Sequence, residues 1–209
     1  MIGDPLGRPA AFWRVLPGAA QAGLLCVSSV AVGTCALTRY YLAPMEHWGL
    51  DLAKEDFKFS AAHFLIFPDG SAERLHGHNY RVYVEIDGGL DEHGLVLDFK
   101  QVKPVVRELC NFLDEHLLVP GEHGELRVSD VGAGHKEVRY RESRYTVPEG
   151  DLIVLPINNT SSENLATWFG RRLLDELGRR FPKVKVQRIK VGVEETRGQR
   201  GVYRHLSTD

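Results

Sequence analysis

From His76 to Ile86 the chain alternates without a break. His76, His78, Tyr80, Val82, Val84 and Ile86 fall on one face of an extended strand, and Asn79, Arg81, Tyr83 and Glu85 fall on the other. Side chains of a strand point to opposite faces in turn, so a run of this length demands a sheet with one buried side. The consequence is chemical as well as structural. Two imidazoles share the face of Tyr80 and Val82, and Gly77 between them lets a neighbouring backbone come close. A shorter alternation precedes it, with Phe57, Phe59, Ala61, His63 and Leu65 on one face and Lys58, Ser60 and Ala62 on the other. Pro68-Asp69-Gly70 between the two segments marks a turn. If the strands pair as neighbours, three imidazoles converge. Taken singly, each histidine is an ordinary core or surface residue. In register on two inner faces, His63, His76 and His78 are candidate ligands, because three neutral imidazoles with an open fourth position are a common catalytic zinc arrangement. Such an open position lets a substrate oxygen be polarised or deprotonated.

The remaining pattern frames that pair of strands. A helix is expected from Asp98, with Gln101 as capping-box partner and Val102, Val105, Leu109, Phe112 and Leu113 as its apolar stripe. Cys110, one turn before Asp114, is expected as a small buried hydrophobe. Residues 125–155 are β-like and are expected as an inserted hairpin. Thr160-Ser161-Ser162-Glu163 opens a second helix that turns Leu165, Trp168, Phe169, Leu173 and Leu177 inward. Closing strands run from about Val184 to Glu195 and from Gly201 to Leu206. The order is β-β-α-(hairpin)-α-β-β: an α+β domain whose four-stranded antiparallel sheet carries two helices on one face. Ile189, Val191, Val193 and Glu195 share one face of a closing strand. An inward carboxylate there needs a partner, unless the strand has already left the core. As a ligand anchor, Glu195 could accept two hydrogen bonds from an amidine-like edge.

Composition narrows the chemistry. A net charge of −2 over 209 residues gives no electrostatic reason to expect a nucleic-acid partner. Cys26, Cys35 and Cys110 form neither a disulfide framework nor a CxxC pattern, so a reducing, cytoplasmic setting is the default and any metal site rests on histidine and carboxylate. The segment before Met45 differs from the rest: Asp4 is its only acidic residue, and Val15–Thr38 carries no charge. Three readings stand open for it: a weak signal or membrane anchor, an acid-poor organelle transit peptide with Arg8, Arg14 and Arg39, or a dispensable extension with Met45 as the working start. Residues 1–50 are accordingly set apart as an extension, and residues 51–209 as the folded domain.

Phe59-Ser-Ala-Ala-His63, Leu75-His-Gly-His-Asn-Tyr80, Gly94-Leu-Val-Leu-Asp-Phe99, Leu113-Asp114, Thr160-Ser-Ser-Glu-Asn164 and Val193-Glu-Glu-Thr196 together resemble the 6-pyruvoyl-tetrahydropterin synthase family, whose relatives include 6-carboxy-tetrahydropterin synthase. The resemblance covers nearly everything after Asp51, in order. It implies the tunnelling fold (T-fold), homo-oligomers that are trimers or hexamers, Zn2+ on His63, His76 and His78, and a small-molecule pterin held by Glu195 with Ser161 and Ser162. Such lyases serve tetrahydrobiopterin or folate biosynthesis. In pyruvoyl synthases a cysteine in the loop before the Leu-His-Gly-His motif moves a proton. Here that loop reads Gly70-Ser-Ala-Glu-Arg74, with Glu73 three residues before His76. That is similar to the type III branch, in which a glutamate replaces the cysteine and the side chain of 7,8-dihydroneopterin triphosphate is cleaved to give 6-hydroxymethyl-7,8-dihydropterin. The family's Leu-Asp-His at the end of the first helix reads Leu113-Asp114-Glu115-His116 here, so Glu115 stands in the histidine's place, and the candidates are Asp114 with either His116 after a local shift or Glu115. Alternatives are a pyruvoyl- or carboxy-type synthase with a substituted proton shuttle, and a non-catalytic pterin- or zinc-binding paralogue.

Overall fold

The computed structural model describes residues 46–207. In chain order the elements are β1 (Trp48–Leu52), β2 (Lys58–His63), β3 (His76–Gly88), α1 (Phe99–Leu113), β4 (His116–Pro120), β5 (Leu126–Gly132), β6 (His135–Tyr140), β7 (Ser143–Pro148), β8 (Leu152–Leu155), α2 (Ser162–Arg180), β9 (Val186–Thr196) and β10 (Gln199–Leu206). The long alternating segment is the spine. β2 pairs antiparallel with the first half of β3 and β1 with its second half, while β9 runs along the other edge. The main sheet therefore reads β10-β9-β3-β2-β4-β8, with β1 beside β2 on β3. The two helices cover one face, and the class is α+β in the tunnelling fold, as the sequence implies.

The sheet has seven strands rather than four, because β1 adds to β3 and because β4 and β8 extend it in parallel beyond β2. β4 escapes a period-2 search for a physical reason. Leu118 is buried under the helices, whereas Leu117 and Val119 are buried on the opposite face against a second cluster with Phe64, Leu126, Val138 and Tyr140. A strand covered on both sides is apolar throughout and shows no alternation. The cover on that second face is the insertion itself. It is a three-stranded sheet, β5-β6-β7, rather than a hairpin.

Other boundaries shift for local reasons. β1 takes in Trp48–Leu50, which the sequence pattern leaves in the extension. β2 stops at His63, after which Phe64 rather than Leu65 is buried. Phe112, expected inward, lies exposed beside Trp168. The Asp98 carboxylate caps α1 by accepting from Lys100 N at 2.8 Å, and Ser161, one residue after Thr160, caps α2 by accepting from Asn164 N at 3.3 Å. Among the described residues no helix is long and apolar enough to cross a membrane. The readings placed on residues 1–45, with Cys26 and Cys35, lie outside the described residues.

The link from α1 to β4 is tied to β2. Ser60 N donates to Asp114 Oδ1 at 2.6 Å, and Glu115 N donates to Ser60 O at 2.7 Å. To make this turn Glu115 adopts φ 58°, the left-handed region that disfavours a residue with a Cβ. Glu115→Gly is predicted to stabilise the chain by about 1 kcal/mol, read from the urea midpoint at unchanged m-value.

Candidate metal centre

Register explains why the imidazoles meet. His63 lies directly opposite His76, and Ala61 opposite His78. All sit on the helix-facing side, where β2 and β3 bury Phe59, Ala61 and Tyr80. β9 brings Glu195 to the same face, one step beyond buried Val193. His63, His76, His78 and Glu195 each offer one ligand atom, and these atoms all lie within 4.8 Å of one another. Glu195 Oε1 is 3.0 Å from His78 Nε2 and 3.4 Å from His63 Nε2.

Backbone carbonyls set the tautomers. His63 Nδ1 lies 3.1 Å from Thr160 O, and His76 Nδ1 lies 2.8 Å from Arg74 O. A carbonyl only accepts, so each Nδ1 carries the proton and each Nε2 presents a lone pair. His63 is fully buried, and that burial, with His76 adding, pushes its pKa down to about 4. Its ring is therefore neutral near pH 7, and its Nε2 has no hydrogen-bond partner among the described residues. A bare nitrogen lone pair thus faces a carboxylate oxygen at 3.4 Å with no donor between them. Two acceptors so placed repel unless a cation joins them. Three imidazole nitrogens and one carboxylate oxygen suit a divalent transition-metal ion, so the cluster could hold one.

Support for His63 comes from the loop before α2. Thr160 is buried, its hydroxyl donates to Phe64 O at 2.9 Å, and its carbonyl takes His63. Asn159 completes the clamp: its Nδ2 donates to Ile66 O at 2.9 Å, while its Oδ1 accepts from Ile66 N at 3.2 Å and from Thr160 N at 3.0 Å. One side-chain amide thereby continues the ladder of β2 and fixes the carbonyl that orients a ligand. Tyr80 packs its ring edge-on to His63 and His78, stacked on Phe59. Its buried hydroxyl has no partner among the described residues, and burial, with the charges of Glu195 and Glu73, holds its pKa above the usual phenol range.

Glu73 stands at the margin of the centre. Leu65 N donates to its Oε2 at 3.2 Å, which leaves that oxygen 3.9 Å from His76 Nε2. The loop doubles back through Phe67 N to Ser71 O and Glu73 N to Leu65 O. Asp114 and His116 are not part of the cluster: Asp114 holds Ser60 N, and His116 Nδ1 bonds Asp114 O. Ser161 and Ser162 directly follow Thr160, with the Ser161 hydroxyl capping α2. Glu195, read from sequence only as a substrate anchor, sits among the histidines.

Residues 52–205 match the family described as 6-pyruvoyl tetrahydropterin synthase. The chain belongs to this family. A provisionally named 6-carboxy-5,6,7,8-tetrahydropterin synthase of Methanocaldococcus jannaschii is 33% identical over 152 residues, 70% of this chain and 89% of that one. The Plasmodium vivax 6-pyruvoyltetrahydropterin synthase is 28% identical, with a TM-score of 0.72 over 78% of this chain and 100% of its own. A further structure of that enzyme carries alanine in place of a glutamate that is a catalytic residue there. The Plasmodium falciparum enzyme has a TM-score of 0.71 and 28% identity over 77% of this chain and 99% of its own.

Within this family member, the sequence pattern missed Asn159 and Thr160. They precede a helix cap and carry no periodic signal, and their partners lie more than ninety positions away. Asn159→Ala is predicted to weaken divalent-cation binding about 10- to 100-fold, read by competition with a chromophoric chelator, because it frees the carbonyl that orients His63.

Proposed function

We propose that the chain is a zinc-dependent lyase that cleaves the side chain of 7,8-dihydroneopterin triphosphate, giving 6-hydroxymethyl-7,8-dihydropterin and glycolaldehyde triphosphate. The observation that carries it is the placement of Glu73 beside the histidine cluster, 3.9 Å from His76 Nε2. Cleavage of the C1′–C2′ bond removes the proton of the 2′-hydroxyl and returns one to C1′. A carboxylate at the rim is suited to both transfers. The one cysteine among the described residues is no rival: Cys110 is buried in α1, and burial pushes its thiol up to about 12. The catalytic glutamate of the Plasmodium vivax relative supports a carboxylate in this role.

His63, His76 and His78 would hold the ion, with Glu195 beside them. When bound, the ion lowers the pKa of a side-chain hydroxyl and polarises it. Glu195 accepts the N–H and NH2 of the pterin ring, with Ser161 and Ser162 next to it at the head of α2. Orientation follows from these contacts, since a ring fixed by two hydrogen bonds presents its side chain in one direction. Asp114 and His116 take the relay role on the family pattern alone. Assembly as a trimer or hexamer fits a sheet whose edge strands β10 and β8 leave ladder groups unpaired.

A second reading has its own support. The Methanocaldococcus jannaschii relative, and one from Pyrococcus horikoshii that is 31% identical, carry a 6-carboxy-5,6,7,8-tetrahydropterin synthase name. Incubation with 7,8-dihydroneopterin triphosphate, followed by identification of the pterin after oxidation, separates the two. Hydroxymethylpterin is expected, and a chelator should abolish it. A carboxy- or pyruvoyl-pterin would favour a synthase instead. Glu73→Gln is predicted to lower kcat at least about 100-fold with metal content and pterin affinity retained. Unchanged turnover would remove Glu73 as the base.

A further inference from the structure

The sheet face away from the helices carries an unbalanced row of charge. Lys58 on β2 pairs with Arg81 on β3, Arg81 pairs with Glu194 on β9, and Glu194 pairs with Arg200 on β10. Alternation with buried Phe59, Val82, Val193 and Gly201 places all four on that face. Three cations thus lie abreast with one carboxylate. Like charges directly opposite across strands are destabilising.

The single carboxylate is already committed. Tyr83 OH donates to Glu194 Oε2 at 2.5 Å, and Gly198 N donates to Oε1 at 2.9 Å. The Tyr83 bond, above all, holds the Glu194 pKa below its usual range, so the group is ionised. Arg200 lies over the Tyr83 ring at 4.2 Å. Farther along the same face the charges balance, with Lys190 on Glu85 and Arg188 on Asp87, each at 2.5 Å. The surplus is confined to the end nearest the histidines.

A cleft opens there. β9 parts from β3 after the Arg81–Glu194 pair, so among the described residues the backbone of His76–Tyr80 has a strand partner on its β2 side only. The resulting notch, about 420 Å³, is lined by Asn79, Arg81, Tyr83, Glu194, Glu195, Thr196 and Arg197. Glu195 is common to the notch and the metal cluster, so the cationic row adjoins the catalytic centre. The Asn79 Oδ1 is taken by the Ser60 hydroxyl at 2.7 Å, which leaves the amide Nδ2 free to donate.

We propose that this notch holds a polyphosphate, with Arg81 and Arg197 on the phosphate oxygens and Lys58 and Arg200 flanking them. Its assignment to the triphosphate tail of the substrate rests on the pterin reading of the metal centre. Guanidinium groups bind phosphate through paired, charge-assisted hydrogen bonds. An anion here also relieves the repulsion along the row.

The test is calorimetric titration of the metal-loaded full chain with inorganic tripolyphosphate at about 0.15 M salt. Metal content is measured before and after, because polyphosphates chelate. Arg81→Gln and Arg197→Gln should each weaken binding about tenfold. Arg171→Gln and Arg172→Gln on α2 should leave it unchanged. Equal binding by parent, Arg81→Gln and Arg197→Gln, or equal loss in the α2 controls, overturns the site whatever the turnover. In the kinetic arm, Arg81→Gln should raise KM for 7,8-dihydroneopterin triphosphate about tenfold and leave KM for unphosphorylated 7,8-dihydroneopterin in place. If tripolyphosphate binding falls and neither KM moves, the notch serves a free polyphosphate and the assignment to the substrate's tail is wrong. If the parent turns over neither pterin yet loses tripolyphosphate binding in both variants, the pterin reading fails and the polyphosphate site stands.

Discussion

The interaction on which the site depends is a hydrogen bond between a buried histidine and a backbone carbonyl. Thr160 O accepts from His63 Nδ1, and that one contact decides which nitrogen carries the proton. Burial then keeps the ring neutral, and a lone pair is left pointing at a carboxylate. A buried acceptor without a donor is expensive. Folding accepts that cost at this point because a cation can repay it. His76 repeats the device with Arg74 O at a more exposed position, so two ligands are oriented by main chain rather than by side chains free to rotate.

The rest of the fold serves that geometry. Pairing of β2 with β3 sets His63 against His76, and the far edge of β3 receives β9 and hence Glu195. The clamp of Asn159 and Thr160 joins the loop before α2 to the end of β2, so the helix layer and the sheet layer meet at the ligands. The inserted sheet β5-β6-β7 takes no part in the cluster. It covers the opposite face of β4 and of the end of β2 at Ala62, so that β4 is buried on both sides. Rigid placement of this kind is what a site needs to keep its donors aligned without a bound ion.

Much of this was legible in sequence where a side chain's face follows from parity. His63, His76, His78 and Glu195 share the helix-facing side as their numbering requires, and Gly77 lies where β2 comes close, its missing Cβ 3.2 Å from Ala61 O. Parity fails where both faces are covered, so β4 was hidden in an apolar run, and β8, expected as part of the inserted hairpin, joins the main sheet instead. It is also silent about partners across the chain. Thr160 looked like the start of a capping motif, yet Ser161 does the capping and Thr160 turns to His63. The meeting of Lys58, Arg81, Glu194 and Arg200 needs the register of four strands, which no single segment encodes. Family resemblance added Glu73, whose position depends on a loop folded back on residues 65–67.

Metal stoichiometry tests the central claim most directly. Elemental analysis of the purified chain should find one divalent ion per chain, reduced several-fold in His78→Ala, a partly exposed ligand whose loss spares the core. A chain that binds no stoichiometric ion, or a variant that keeps its full complement, would contradict a centre built from these three imidazoles.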